Sequence, residues 1–407
     1  MDAGVVRAPA GPLKSLGCRS RSDRRSRKPA ATKNLPFPIG IVVLVLVDLV
    51  LLVAPAPAAT IPIDTDNGSP PFVRARVHGT SFWFLLDTAS PSSFGLRQAQ
   101  ALKLPAASPQ RGIAIELPGL TVTLPSLPLA DLDPRQIALG HKLDGVLGTE
   151  FFARFVTTFD FEGKTLTLES LKTRRPAGRG HALPLLVENG RPYVSARVTP
   201  RGGKPVDGNF LIDTADEAAV TFFSPFAEQN HLAGPPPPAP AGSSGAMQAV
   251  LRGEALKLGG ESLREPILSI SASTSGLFSD TRHAGLLGME VLRRFKLTLD
   301  PARKRLLLEK NAAFPEPFDY DASGLRVQPL GADLTTLEVR RVRPGSPAAE
   351  AGILAGDVIL AVDGRPIAEI TPFGVRRLFR KDGKQYALSI LREGAIRKFQ
   401  LHCRRQI

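Results

Sequence analysis

The sequence predicts a mainly β protein, with two tandem β-barrel lobes followed by a smaller α+β domain. Three observations carry that prediction. Two stretches repeat the same order of strand, turn, strand and Asp-Thr-Ala, about 120 residues apart. The chain of 407 residues holds 37 Gly and 37 Pro, a content that favours short strands and many turns over long helices. The last quarter carries a capped-helix signal followed by an Asp-Gly hairpin signal.

The repeat begins with Phe72-Val73-Arg74-Ala75-Arg76-Val77 and returns as Tyr193-Val194-Ser195-Ala196-Arg197-Val198. Both alternate as half-buried strands do. Short turns lead to Phe84-Leu85-Leu86-Asp87-Thr88-Ala89 in one copy and Phe210-Leu211-Ile212-Asp213-Thr214-Ala215 in the other. Later come Val146-Leu147-Gly148-Thr149-Glu150 and Leu286-Leu287-Gly288-Met289-Glu290, each predicting a short helix after the glycine. A strand, turn and strand close each copy: Val156–Phe161 and Thr165–Glu169, then Lys296–Asp300 and Arg305–Glu309. These spacings place one lobe over 70–170 and the other over 190–310. Gly/Pro-rich Asn230–Ala246 interrupts the second copy and reads as a loop insertion, while polar, proline-containing Asn311–Phe318 reads as a linker.

An Asp-Thr pair after a strand often only caps a bend through side-chain hydrogen bonds. The matched pair in duplicated context points further. Over about residues 70–310 the chain resembles the bacterial relatives of retroviral aspartic proteases, with two lobes fused in one chain as in pepsin. The resemblance implies that Asp87 and Asp213 are the two catalytic carboxylates. It implies that Thr88 and Thr214 cross-brace the turns, and that Gly148 and Gly288 pack beside them. Two aspartates about 3 Å apart cannot both ionise, so they share one proton. One then takes a proton from water while the other donates to the substrate carbonyl. That chemistry needs no metal and no organic cofactor.

The chain departs from the family at Ala89 and Ala215, where the family usually has Gly. An added methyl costs roughly 1–2 kcal/mol only if the backbone there is left-handed. Covering hairpins are expected over Ala106–Leu117 in the first lobe and Gly242–Leu251 in the second. Asp144 has no acidic counterpart, since Ala284 stands in its place, and it reads as structural.

Residues 319–405 resemble a bacterial PDZ domain, on Val342-Arg343-Pro344-Gly345-Ser346-Pro347-Ala348-Ala349-Glu350-Ala351-Gly352-Ile353 and Ala355-Gly356-Asp357-Val358-Ile359-Leu360-Ala361-Val362-Asp363-Gly364. Ser346 caps a helix with Pro347 at its first position, Gly352 ends it, and Asp363-Gly364 makes a hairpin turn. The resemblance implies a peptide added to a sheet edge, with its terminal carboxylate held by backbone N–H groups near Ser323-Gly324-Leu325-Arg326. Together the two resemblances imply an aspartic endopeptidase acting on protein or peptide substrates. The alternative is a non-catalytic peptide-binding scaffold on the same fold.

Residues 1–58 read as an export signal: a basic stretch over 14–33, an apolar run from Ile39 to Val53, then Ala54-Pro55-Ala56-Pro57-Ala58. The apolar run is short for a membrane span, and Asp48 within it costs roughly 2.5–3.5 kcal/mol at a bilayer centre. The expected location is the periplasm, reached by cleavage, or the inner membrane through an uncleaved N-terminal anchor. Of the net charge of +14, this segment carries +6, and the remaining +8 is spread thinly. With no basic stripe interleaved with aromatics, a nucleic-acid partner is not expected. The two cysteines, Cys18 and Cys403, fall on either side of the expected cleavage point. The six histidines are scattered without paired metal-ligand spacing, so no metal site is expected. A serine protease is not expected either, since no Gly-x-Ser-x-Gly occurs.

Overall fold

A computed structural model describes residues 59–407, apart from 67, 106–108, 173–179, 233–246, 274 and 332. The expected export signal, and all but the first three residues of the Asn230–Ala246 insertion, lie outside these residues. Among the described residues, no helix is long and apolar enough to cross a membrane.

The protein is mainly β, and each lobe is built on the same turn of chain. In the first lobe, Phe72–Val77 pairs antiparallel with Thr80–Leu86. The turn between them places both His78 and Gly79 at positive φ. Thr80–Leu86 then runs parallel to Gly145–Leu147, in the register Phe84 to Gly145 and Leu86 to Leu147. The second lobe repeats this: Arg191–Pro200 pairs antiparallel with Val206–Ile212, which runs parallel to Gly285–Leu287 with Phe210 opposite Gly285. The last three residues of each inner strand, Phe84-Leu85-Leu86 and Phe210-Leu211-Ile212, are buried on both faces, and a continuous apolar run suits that position. Each ends directly at an Asp.

A third sheet joins the lobes. Its order is Ala59–Pro62, Thr165–Ser170, Phe155–Asp160, Phe295–Asp300, Arg305–Lys310 and His181–Pro184. Phe155–Asp160 and Phe295–Asp300 meet antiparallel at its centre, where the Thr158 and Thr298 hydroxyls lie 2.9 Å apart. Each lobe's closing hairpin thus takes a third strand from upstream: Ala59–Pro62 joins the first hairpin and His181–Pro184 the second. The ordered chain of the first lobe therefore starts before residue 70.

Of the two expected covering hairpins, 106–108 and 242–246 lie outside the described residues, and the described remainders belong to strands of the lobe sheets. Ile113–Leu117 pairs with Leu120–Leu124, and Ile113, Ile115 and Leu117 alternate into the lobe core. Met247–Leu258 is a long interior strand that pairs with Ile267–Ser271, Glu261–Arg264 and Arg191–Pro200. In both segments the apolar alternation is used up by core packing.

The C-terminal domain is a sheet ordered Leu325–Pro329, Leu337–Val342, Val358–Val362, Gln385–Arg392 and Ala395–His402, with Leu325–Pro329 at an edge. Ser346 accepts from the Ala349 N–H at 3.3 Å, capping the helix Pro347–Glu350. Asp363 and Gly364 both have positive φ, as the expected hairpin turn requires.

The linker is sewn down. Arg294 is fully buried and donates to the carbonyls of Glu290, Ala313, Phe314, Glu316 and Pro317, with its guanidinium 3.8 Å from the Phe318 ring centroid. The C-terminal domain is pinned to both lobes by Arg376, which donates to Leu139 O at 3.1 Å and to Glu217 at 2.8 Å. Arg380 adds a bond to Glu290 at 2.8 Å.

Candidate active site

The two Asp-Thr-Ala turns face each other across the join between the lobes. The Asp87 N–H donates to Leu147 O at 3.0 Å, and the Asp213 N–H donates to Leu287 O at 3.0 Å. Each turn is thus tied to the later strand of its own lobe. The threonines then tie the turns to one another. The Thr88 hydroxyl donates to Ile212 O at 2.6 Å and accepts from the Thr214 N–H at 3.2 Å. The Thr214 hydroxyl donates to Leu86 O at 2.7 Å and accepts from the Thr88 N–H at 3.2 Å. Four reciprocal bonds between buried groups hold the two aspartates in one rigid frame.

Gly148 and Gly288 sit where no side chain fits. A Cβ on Gly148 would stand 2.1 Å from Ser90 O, and one on Gly288 would stand 2.5 Å from Ala218 O. Neither glycine has positive φ, so the requirement is close approach of backbone to backbone. The chain after each Asp is pressed against the start of the following short helix, Thr149–Phe152 or Met289–Leu292. The Thr149 N–H donates to Ser90 O at 2.9 Å, and the Met289 N–H donates to Asp216 O at 2.7 Å.

Ala89 and Ala215 do not have positive φ, so their methyl groups meet no left-handed penalty. Each methyl crosses to the opposite lobe. Ala89 packs with Tyr193, Leu211, Phe223 and Leu286 of the second lobe. Ala215 packs against Phe72, Leu85, Leu132, Leu143 and Val146 of the first. Alanine at these two positions therefore adds apolar contact between the lobes. Ala89→Gly is expected to destabilise by about 1–2 kcal/mol, from a lost buried methyl and the added backbone freedom of glycine. Urea unfolding at neutral pH measures it, and an unchanged midpoint would remove the packing role.

Asp87 is buried, and both its oxygens are engaged. Oδ1 accepts the Ala89 N–H at 2.8 Å and the Ser90 N–H at 3.0 Å. Oδ2 accepts from Nη2 of Arg135, which is on the helix Asp133–Leu139. Asp213 Oδ1 accepts the Ala215 N–H at 2.9 Å. Burial and the neighbouring charges of Asp87 and Asp216 push the Asp213 carboxyl well above the usual range, against the opposing pull of the Ala215 N–H and Arg135. Asp213 is thus the carboxyl of the two that burial and a neighbouring negative charge favour in its protonated form.

A third acid joins them. Asp216 stands where Ser90 stands in the first repeat, is buried, and accepts the Ala218 N–H at 2.7 Å. Burial and the charges of Glu217 and Asp87 raise its carboxyl to about 6. A carboxyl raised on folding stabilises the fold below its unfolded pKa and loses that contribution as pH rises through the folded value. Wild type is thus expected to lose on the order of 3 kcal/mol between about pH 4 and pH 6 from this group. Asp216→Asn keeps the acceptor for Ala218 and removes the loss. Denaturation midpoints at pH 4 and pH 8 check it: the variant gains only at pH 8, and equal curves for both proteins would exclude the effect.

Asp144 has a bracing role, accepting the Trp83 N–H at 2.9 Å and the Gln98 amide at 2.8 Å. In the C-terminal domain, the loop expected to hold a peptide carboxylate is already filled by a carboxylate of this chain. Asp321 accepts the N–H groups of Ser323 at 3.1 Å and Gly324 at 2.8 Å, and Ser323 Oγ accepts the Leu325 N–H at 3.0 Å. Arg326 follows on the edge strand, with its Nη1 buried and unpartnered and Arg340, Arg341 and Arg376 nearby.

Sequence reasoning passed over Arg135, Asp216 and Asp321. Aligning the two repeats finds Asp216, as the acidic residue opposite Ser90. Asp321, two residues before Ser323, carries the weak signal of an Asx-type turn. Nothing local marks Arg135, since its contact with Asp87 spans 48 residues.

No curated protein matches the chain in sequence. Among solved structures, the chain is similar to an aspartic proteinase from Irpex lacteus, at 12% identity and a TM-score of 0.42, over 64% of this chain and 99% of that one. Residues 338–392 match the PDZ domain family. That stretch spans the sheet from Glu338 to Arg392, with the capped helix and the Asp-Gly hairpin inside it, and it is a PDZ domain.

Proposed function

We propose that this chain is an aspartic endopeptidase of the cell envelope whose PDZ domain engages protein or peptide substrates. The observation that carries the reading is the cross-braced pair of buried aspartates, with Asp213 kept protonated by burial and by the charge of Asp87. Asp87 then acts as the base on water, and Asp213 donates to the substrate carbonyl. Thr88 and Thr214 fix the distance, and Gly148 and Gly288 let the chain close behind each carboxylate. The basic and apolar N-terminal segment supports export to the periplasm, by cleavage or by an inner-membrane anchor. The test is cleavage of a reduced, carboxymethylated polypeptide between pH 3 and 8, read by mass spectrometry. Cleavage by wild type that is lost in Asp87→Asn supports the reading, and equal cleavage by both proteins ends it.

Arg135 favours a second reading, a peptide-binding scaffold without turnover, because its guanidinium takes the Asp87 oxygen that a lytic water would use. Wild type and Arg135→Ala both inert on the same polypeptide, yet binding it, would favour this reading.

A further inference from the structure

The helix that carries Arg135 reaches two places. Near its start, Arg135 neutralises Asp87 from a side chain that is 34% exposed, against 1% for Asp87. At its other end it meets the PDZ domain. There Leu139 O accepts from Arg376, and Gly140 lies so close to Pro372 that a Cβ would stand 2.6 Å from the proline ring. Arg376 and Pro372 belong to the helix Pro372–Leu378. The Arg135 helix also contacts the edge strand Leu325–Pro329. The helix therefore lies against the edge strand of the PDZ sheet and, at its C-terminal end, against the helix beside that strand. An extended peptide adds to a PDZ domain at such an edge. A helix C-terminus presents unpaired carbonyls and partial negative charge, which suits Arg376 and the neighbouring Arg326.

We propose that the helix Asp133–Leu139 is an internal latch: its end occupies the PDZ edge while its Arg135 blocks Asp87, and a peptide docking on that edge displaces the helix and uncovers the carboxylate. The inference rests on the endopeptidase reading for its consequence, and on the geometry of the helix for its coupling. Because coupling between sites is reciprocal, loosening either end of the helix loosens the other. Because Asp321 already holds the Ser323 and Gly324 N–H groups, it is the side chains of Arg326, Arg340, Arg341 and Arg376 near the edge, not that loop, that favour a peptide with a free C-terminal carboxylate over an amidated one.

The experiment uses the full chain in four forms: wild type, Arg135→Ala, Arg376→Ala and Glu217→Gln. The last removes the charge that holds Arg376 from the lobe side, leaving only a neutral acceptor, so that one misfolded variant does not decide the matter. Two readouts are taken: amide exchange over 133–140, and cleavage of a reduced, carboxymethylated polypeptide. Both are repeated with a random decapeptide pool bearing free C termini, and with the same pool amidated. Arg376→Ala and Glu217→Gln are expected to raise exchange over 133–140 and to raise cleavage at least fivefold. Arg135→Ala is expected to raise cleavage and to remove the further gain from the free-ended pool. The amidated pool is expected to act more weakly. Faster exchange in Arg376→Ala without faster cleavage in an active enzyme overturns the latch, as does lower cleavage in Arg135→Ala. If every form is inert, the endopeptidase reading fails, and the latch is judged by exchange alone: it stands if Arg135→Ala and the free-ended pool each raise exchange over 133–140, and falls if neither does.

Discussion

Asp213→Asn is expected to lower kcat for peptide cleavage by about 10²–10⁴-fold with little change in KM, because it removes proton donation in the transition state and leaves substrate contacts alone. The variant should fold, since the Asn side-chain oxygen still accepts the Ala215 N–H. In wild type, burial and the charge of Asp87 keep Asp213 protonated above the ordinary carboxyl range. Activity should therefore persist to a higher pH than an exposed aspartate would allow, and fall as that proton is lost. Arg135 opposes this shift, so Arg135→Ala should move the alkaline limb upward. Rate profiles from pH 3 to 8, taken in wild type and in the Arg135→Ala background, read both effects. A profile left unchanged by Asp213→Asn would exclude that carboxyl from the chemistry.

Arg294→Met is expected to cost about 3–5 kcal/mol of stability, the range for removing one partner from a buried charged network. Burial and the neighbouring Arg293 charge already lower the Arg294 guanidinium to about 10, so its five carbonyl partners outweigh an unfavourable setting. Methionine has similar length but no donors, and would take the Arg294 donor from the carbonyls of Phe314, Glu316 and Pro317, while Ala313 O keeps the Glu316 N–H. The linker should then lift, and the PDZ domain should move against the lobes. Thermal unfolding and amide exchange over 311–320 measure the two consequences, and a wild-type melting temperature would show that the linker is held by other contacts.

Much of the fold was legible in the sequence because its signals are local. Alternation marked Phe72–Val77 and Tyr193–Val198, Ser346 and Pro347 marked a helix start, and Asp363-Gly364 marked a hairpin. Duplication made Asp87 and Asp213 stand out from ordinary turn residues. The described parts of the expected covering hairpins lie in the lobe sheets for a physical reason. Ile113–Leu117 and Met247–Leu258 have the alternation of strands, and alternation does not distinguish a hairpin over a cleft from a strand in a core. Asn311–Phe318 read only as a linker because its anchor, Arg294, comes earlier in the chain and reaches its carbonyls by tertiary packing.

The sequence by itself determined the two Asp-Thr-Ala turns, the strands that lead into them and the C-terminal domain, since each rests on residues close together in the chain. Only the tertiary structure decided that the alanine methyls fill the opposite lobe, that Asp216 joins the acidic pair, that Asp321 fills the PDZ loop, and that Arg135 sits on Asp87. Those outcomes depend on which surfaces meet when the two lobes and the PDZ domain pack, and no short stretch of sequence encodes where a side chain points across such a junction.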